Sequence, residues 1–232
     1  MGVAWGFSYH IIIFLLEKNK FSKVGFNGLF AGTFIVSWIG AKIFYLIFSQ
    51  YGEYQNLLTS ASFWLGGGFV FYGGLLFGII YVLFYSYILK KIETKSLVCL
   101  IPGICISHAI GRVGCFLAGC CYGNATDVSW GIILHNERRH PVQLYEVIFL
   151  IFIFFIIIKL INRRINSKYI IYFYLISYSL IRFGLEFFRG DLIRGFGPFH
   201  LSSSQWISIL IMITVFLIEI FRNFFLQKAI YE

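Results

Sequence analysis

Seven apolar runs, separated by short clusters of cations, constrain this chain more than any other feature. A hydrocarbon core about 30 Å thick takes about 20 helical residues at 1.5 Å each. Runs near 3–16, 26–48, 69–89, 97–117, 146–161, 169–185 and 204–226 approach or reach that length, the first and fifth being short or tilted. Only 12% of the 232 residues are charged and 59% are hydrophobic, whereas a soluble domain carries about 25% charged residues. A soluble enzyme is thereby excluded, and the lack of low-complexity polar segments excludes a disordered or collagen-like chain. Barrel strands would alternate apolar and polar residues, which these runs do not, and an open sheet leaves unsatisfied edges in lipid. The expected fold is all-α: a polytopic membrane protein of about seven transmembrane helices, one membrane-embedded domain over 1–232, with outer loops near 118–145 and 186–203.

The net charge of +9 is not a nucleic-acid footprint, because the cations are not gathered on one polar face. They sort instead by side. Lys18, Lys20, Lys23, Lys90, Lys91, Lys95, Lys159, Arg163, Arg164, Lys168, Arg222 and Lys228 follow alternate spans, and Arg138, Arg139, Arg189 and Arg194 lie in the opposite loops. Lys and Arg in short loops favour the cytoplasmic side, so the N-terminus is predicted outside and the C-terminus inside. Lys42, Arg112 and Arg182 are left within or at the ends of spans, where a charge marks a candidate functional site. No cleavable signal peptide is evident, since no basic n-region precedes the first run. Apolar character begins at Val3 with no lead-in, as in a chain cropped of an outer N-terminal segment.

Of the five cysteines, Cys99 and Cys105 fall within the fourth run and read as small buried hydrophobes. Cys115, Cys120 and Cys121 lie in Gly111-Arg112-Val113-Gly114-Cys115-Phe116-Leu117-Ala118-Gly119-Cys120-Cys121-Tyr122-Gly123, at the predicted outer end of that run, where a disulfide is chemically permitted. A metal site with His108 as fourth ligand is the alternative. Structural zinc sites space their ligands on two arms, a pattern these cysteines do not follow, so no metal and no cofactor is expected.

Within the same run His108, Arg112 and Cys115 are spaced i, i+4, i+7 and share one helical face. The glycines at 111, 114, 119 and 123 are expected to allow close backbone approach and to break the helix into a turn. An arginine there needs an anion. A phosphate matches the planar guanidinium bidentately; the alternative is a structural pair with a carboxylate. Tyr178, Arg182 and Glu186 repeat the theme at i, i+4, i+8, although Glu186 can neutralise Arg182 locally. His140, beside the rigid Pro141, supplies a titratable imidazole at the head of the fifth run.

These residues carry a resemblance to the prolipoprotein diacylglyceryl transferase family of bacterial inner-membrane enzymes. The core signature is similar to Arg112 to Gly123, preceded by a segment like Gly66-Gly67-Gly68-Phe69-Val70-Phe71-Tyr72-Gly73-Gly74-Leu75. Arg139-His140-Pro141-Val142-Gln143-Leu144-Tyr145-Glu146 resembles the family's Arg-His-Pro-x-Gln-Leu-Tyr-Glu, and Arg182 to Asp191 resembles a later motif, here shorter by a residue or so. Phe199 to Ile209, with Gln205, is similar to the last. The motifs run in order along nearly the whole chain.

The resemblance implies a seven-span transferase that moves the diacylglyceryl group of phosphatidylglycerol onto the lipobox cysteine of preprolipoproteins, with glycerol phosphate released. Its partners would be phosphatidylglycerol, the lipobox segment and the bilayer, with no nucleic acid, and its place the bacterial cytoplasmic membrane. Arg112 and Arg182 match arginines that the family uses, and Gly123 a required glycine. Cys115, Tyr178, Glu186, Arg139, His140 and Gln143 complete the implied substrate-binding set. The family commonly has His where this chain has Tyr72, Asn where it has Cys115, Glu where it has Cys120 and Arg where it has Lys42. His108 or Tyr72 is then the expected base for the acceptor thiol, ahead of His140. The departures leave three alternatives: a paralogue with another acceptor, using Cys115 as nucleophile; a non-enzymatic anion- or lipid-binding membrane protein; and a redox or metal protein built on Cys115, Cys120 and Cys121.

Overall fold

The computed structural model describes residues 2–48, 63–64, 70–89, 92–190 and 198–231. Its helices follow the apolar runs: α1 (Gly2–Lys18), α2 (Phe26–Phe48), α3 (Phe71–Leu83), α4 (Leu100–Leu117), α5 (Val142–Asn162), α6 (Ser167–Glu186) and α7 (Ser203–Tyr231). Phe26–Ile47, Thr94–Leu117, Val142–Asn162 and Ser203–Arg222 are long and apolar enough to cross a bilayer, and Gly73–Ile88 is a shorter apolar helix. The chain is an all-α polytopic membrane protein. Gly66 to Phe69, Lys90, Lys91, Asp191 and Arg194 lie outside the described residues, as do the side chains of Tyr72 and Lys228.

Helix ends follow local chemistry. Asn166 Oδ1 accepts from the Lys168 amide at 3.1 Å to start α6. Before α7 the Ser202 amide donates to Gln205 Oε1 at 2.9 Å, and the Gln205 amide to Ser202 Oγ at 3.3 Å, a reciprocal capping box. The fifth helix, expected to be short or tilted, has 21 residues, because Pro141 sets the backbone for a start at Val142 instead of interrupting it. The loop between α4 and α5 also holds a feature that the apolar pattern does not show, a hairpin of β1 (Ile132–Leu134) antiparallel to β2 (Glu137–Arg139). Its two-residue turn places His135 at φ 54° and Asn136 at φ 65°, the left-handed pair that a tight hairpin requires.

The helices group into two compact units, residues 1–15 with 98–232, and residues 16–97. In the second unit α2 packs along α3 through glycines: a Cβ on Gly40 would lie 2.6 Å from the Gly73 carbonyl oxygen. Lys42 is fully buried there, its ammonium donating to the Phe63 carbonyl and lying 4.6 Å from the centre of the Phe63 ring. Gly40→Leu should drive α2 and α3 apart and cost about 1–3 kcal/mol as overpacking, read as a lower unfolding midpoint in detergent.

In the first unit α4 packs on α5, α5 on α6 and α6 on α7. The start of α1 joins them, with Ser107 Oγ donating to the Ala4 carbonyl at 3.1 Å. On α5, Leu150, Ile153, Ile157 and Ile161 point inward while Ile148, Phe152 and Phe155 are exposed. Both faces are apolar, as a helix facing protein on one side and lipid on the other requires.

Candidate active site

Helix α4 runs unbroken through Gly111 and Gly114, where an added Cβ would meet nothing within 4 Å among the described residues. Those two glycines therefore neither break the helix nor pack closely against any described residue, contrary to expectation. The break falls at Gly119, at φ 65°. His108, Arg112 and Cys115 accordingly stay on one face.

That face meets Glu146, the fifth residue of α5, 1% exposed. Glu146 Oε2 lies 3.0 Å from Arg112 Nε and 4.0 Å from Arg182 Nη1. Its Oε1 accepts from the Tyr178 hydroxyl at 2.9 Å and lies 3.3 Å from His108 Nε2, itself 3.4 Å from the Tyr178 oxygen. Arg182 Nη2 reaches Glu186 Oε2 at 2.6 Å and donates to Ser204 Oγ at 3.0 Å. Side chains from α4 and α6 thus converge on one carboxylate of α5, and α7 joins through Ser204 on Arg182. A buried charge survives only when paired and hydrogen-bonded, and Glu146 has partners on both oxygens. It is the carboxylate that the sequence leaves as the alternative partner of Arg112. The closest approach of Arg112 is through Nε, which has no hydrogen-bond acceptor among the described residues. Arg182 Nη1 likewise has no hydrogen-bond acceptor among them.

Arg112, Arg182, His108, Tyr178 and Glu186 are therefore brought together. Gly123, Arg139, His140 and Gln143 are gathered elsewhere, into a clasp in the loop between α4 and α5. The Gly123 amide donates to the His140 carbonyl at 3.1 Å, Asn124 N to Phe188 O at 2.8 Å and Gly190 N to Tyr122 O at 3.1 Å. Arg139 Nη1 donates to the Gly123 carbonyl at 3.3 Å, pairs with Glu137 and stacks 4.6 Å from the centre of the Tyr122 ring. His140 Nδ1 lies 3.1 Å from the Tyr145 hydroxyl. Buried Gln143 donates through Nε2 to the Cys120 carbonyl at 2.7 Å. A Cβ on Gly123 would lie 2.5 Å from the His140 carbonyl oxygen, so Gly123→Ala must open the clasp. A shift of about 1 Å near a reacting centre costs about 100-fold, and that loss of turnover, at near-wild-type yield, is the expected result.

Cys115, Cys120 and Cys121 also converge, their sulfurs all within 4.8 Å of one another. His108 is not among them. The Cys121 thiol is pushed down to about 4, first by a hydrogen bond from the Cys115 thiol, then by Arg189 and the charge of Arg112. Burial and its neighbour Cys121 push the Cys120 thiol up. Tyr72 belongs to the other unit, and its side chain is not among those described.

Sequence reasoning missed Glu146 as the centre and Ser204 as a partner of Arg182. The signal for Glu146 was present, a lone carboxylate in an apolar run, but it stood in the motif without a role.

The family model for prolipoprotein diacylglyceryl transferase matches residues 1–221, the span that holds every residue of this cluster. The chain belongs to the prolipoprotein diacylglyceryl transferase family. It is 34% identical to the phosphatidylglycerol–prolipoprotein diacylglyceryl transferase of Clostridium tetani, over 91% of this chain and 89% of that protein. It is 37% identical to the enzyme of the same name from Clostridioides difficile over 58% of this chain and 52% of that one. With that of Finegoldia magna it shares 30% identity over 74% and 70%. As a family member, the chain keeps the Arg112 and Arg182 motifs on one buried cluster and holds Gly123 by a close backbone approach.

Proposed function

We propose that the chain transfers the diacylglyceryl group of phosphatidylglycerol to the lipobox cysteine of preprolipoproteins, in the bacterial cytoplasmic membrane with its N-terminus outside. The observation that carries this reading is the convergence of two guanidinium groups, Arg112 and Arg182, on Glu146, with Arg112 Nε and Arg182 Nη1 lacking hydrogen-bond acceptors among the described residues. A phosphodiester offers oxygens to such a group bidentately. The acceptor sulfur attacks the primary carbon of the glyceryl unit, the carbon–oxygen bond breaks, and glycerol phosphate leaves with the electron pair. Negative charge grows on the departing phosphate, where preorganised cations act most strongly. His108 is the base nearest that chemistry, its Nε2 oriented by Glu146 and Tyr178, with Tyr72 the second candidate and His140 the third. The substrate-binding set of the sequence divides into residues for the headgroup (Arg112, Arg182, with Tyr178 and Glu186 orienting) and residues that shape the outer loop (Gly123, Arg139, His140, Gln143), with Cys115 between them.

The test uses the purified chain in detergent with phosphatidylglycerol and a synthetic lipobox peptide. The peptide should gain the mass of one diacylglyceryl group at its cysteine, and a peptide with serine there should gain nothing. An unmodified cysteine peptide, under conditions where a family reference enzyme works, removes the reading and leaves an anion- or lipid-binding membrane protein.

A further inference from the structure

The sulfurs of Cys115, Cys120 and Cys121 lie within 4.8 Å of one another, although C-x4-C-C is not a two-armed zinc pattern. The turn after α4 brings them together. It is held by the Ala118 amide on the Gly114 carbonyl at 3.0 Å and the Cys120 amide on the Cys115 carbonyl at 3.1 Å. Gly119 and Cys121 both take left-handed backbone, φ 65° and 60°. From α5, the buried Gln143 fixes the Cys120 carbonyl at 2.7 Å, a polar anchor in the wall of the cluster. Three thiolates at about 2.3 Å from one ion stand about 3.8 Å apart, so modest closure of these side chains completes the ligand set. The cations Arg112 and Arg189 flank the sulfurs, which offsets the negative charge of a trithiolate. Cys120 is exposed, and Cys115 and Cys121 are half-buried, so a further ligand can reach the ion.

We propose that Cys115, Cys120 and Cys121 bind a zinc ion whose fourth position takes the thiol of the acceptor peptide. Three protein ligands with one open position is the arrangement of catalytic zinc, and a thiol that coordinates zinc is deprotonated outright. The acceptor S–H loses its proton to solvent on coordination. Its sulfur lone pair then forms the S–C bond while the C–O bond breaks toward glycerol phosphate, and no redox change occurs at zinc or sulfur. Arg112 stands three residues before Cys115 on the same face, which places the activated sulfur beside the group that holds the phosphate. This inference rests on the transferase reading and supplies the thiolate it needs, relieving His108 of that load.

The experiment uses the full chain purified in detergent with a phosphine reductant. Elemental analysis should find about one zinc per chain, as a single three-cysteine site requires, and little in the variant Cys115→Ser/Cys120→Ser/Cys121→Ser. In case that variant fails to fold, cobalt(II) exchanged into the wild type should give a near-ultraviolet thiolate-to-cobalt band. The cysteine peptide should change that band and the serine peptide should not. Removal of the metal should lower transfer about 100-fold or more, the range for loss of proton removal. The proposal is overturned by negligible zinc with all three thiols reduced, by identical spectra with the two peptides, by transfer undiminished in the metal-free chain, or by a diacylglyceryl adduct on Cys115 itself. Zinc and a peptide-dependent spectrum without transfer would keep the metal site and remove the transferase reading alone.

Discussion

Arg112→Ala should lower transfer from phosphatidylglycerol about 10²- to 10³-fold, the loss that follows removal of one preorganised donor to a developing oxyanion. On the proposed reading the guanidinium, whose closest approach to Glu146 is through Nε at 3.0 Å, meets the phosphate oxygens with its terminal amino groups. Arg112→Lys restores a charge but not the planar fork, and recovers only part of the rate. Glu146 keeps Arg182, Tyr178 and His108 within 4.0 Å, so the alanine variant still folds. The measurement is turnover per folded molecule, with inhibition by added inorganic phosphate followed in parallel. A merely structural pair predicts lost stability with unchanged turnover in the folded fraction. A phosphate site predicts lost turnover and weakened phosphate inhibition together.

Glu146→Gln should have the largest effect on stability. The change keeps the shape and removes the anion between two guanidinium groups, and whichever way the amide turns, its NH₂ meets a donor at Arg112 or loses an acceptor for Tyr178. Breaking a buried ion pair by removing one partner costs about 3–5 kcal/mol, so the unfolding midpoint in detergent should fall well below that of wild type. Turnover should drop about 100-fold as the arginines leave their positions. Inorganic phosphate, drawn to the two guanidinium groups left without their anion, should raise the midpoint more in Glu146→Gln than in wild type. Equal stabilisation of the two proteins would count against two arginines facing one anion position.

The helices were legible because the bilayer dictates their length and leaves little choice of conformation. The faces of α4 and α6 were legible for a similar reason: spacings of three and four residues put His108 with Arg112, and Tyr178 with Arg182 and Glu186, before any tertiary contact is known. Glu146 was not legible as the centre. Its role depends on how α4, α5 and α6 pack, and no local spacing encodes a meeting of Arg112 with Arg182, 70 residues apart in sequence. Gln143 read as a substrate contact through its motif, yet it is buried and holds the Cys120 carbonyl. The three cysteines were read together as a disulfide or metal alternative with His108 as fourth ligand, but the turn that gathers them, with left-handed backbone at Gly119 and Cys121, leaves His108 out. Gly111 and Gly114 show the opposite error: helix-breaking residues that sit in an intact helix, since neighbouring turns satisfy their backbone.

The most direct measurement is glycerol phosphate released from phosphatidylglycerol by the purified chain, with and without a lipobox peptide. Release that requires the cysteine peptide, matches modified peptide one for one and disappears in both Arg112→Ala and Arg182→Ala is the predicted result. Release that ignores the peptide, or persists in folded protein lacking both arginines, would contradict a phosphatidylglycerol headgroup held by this pair.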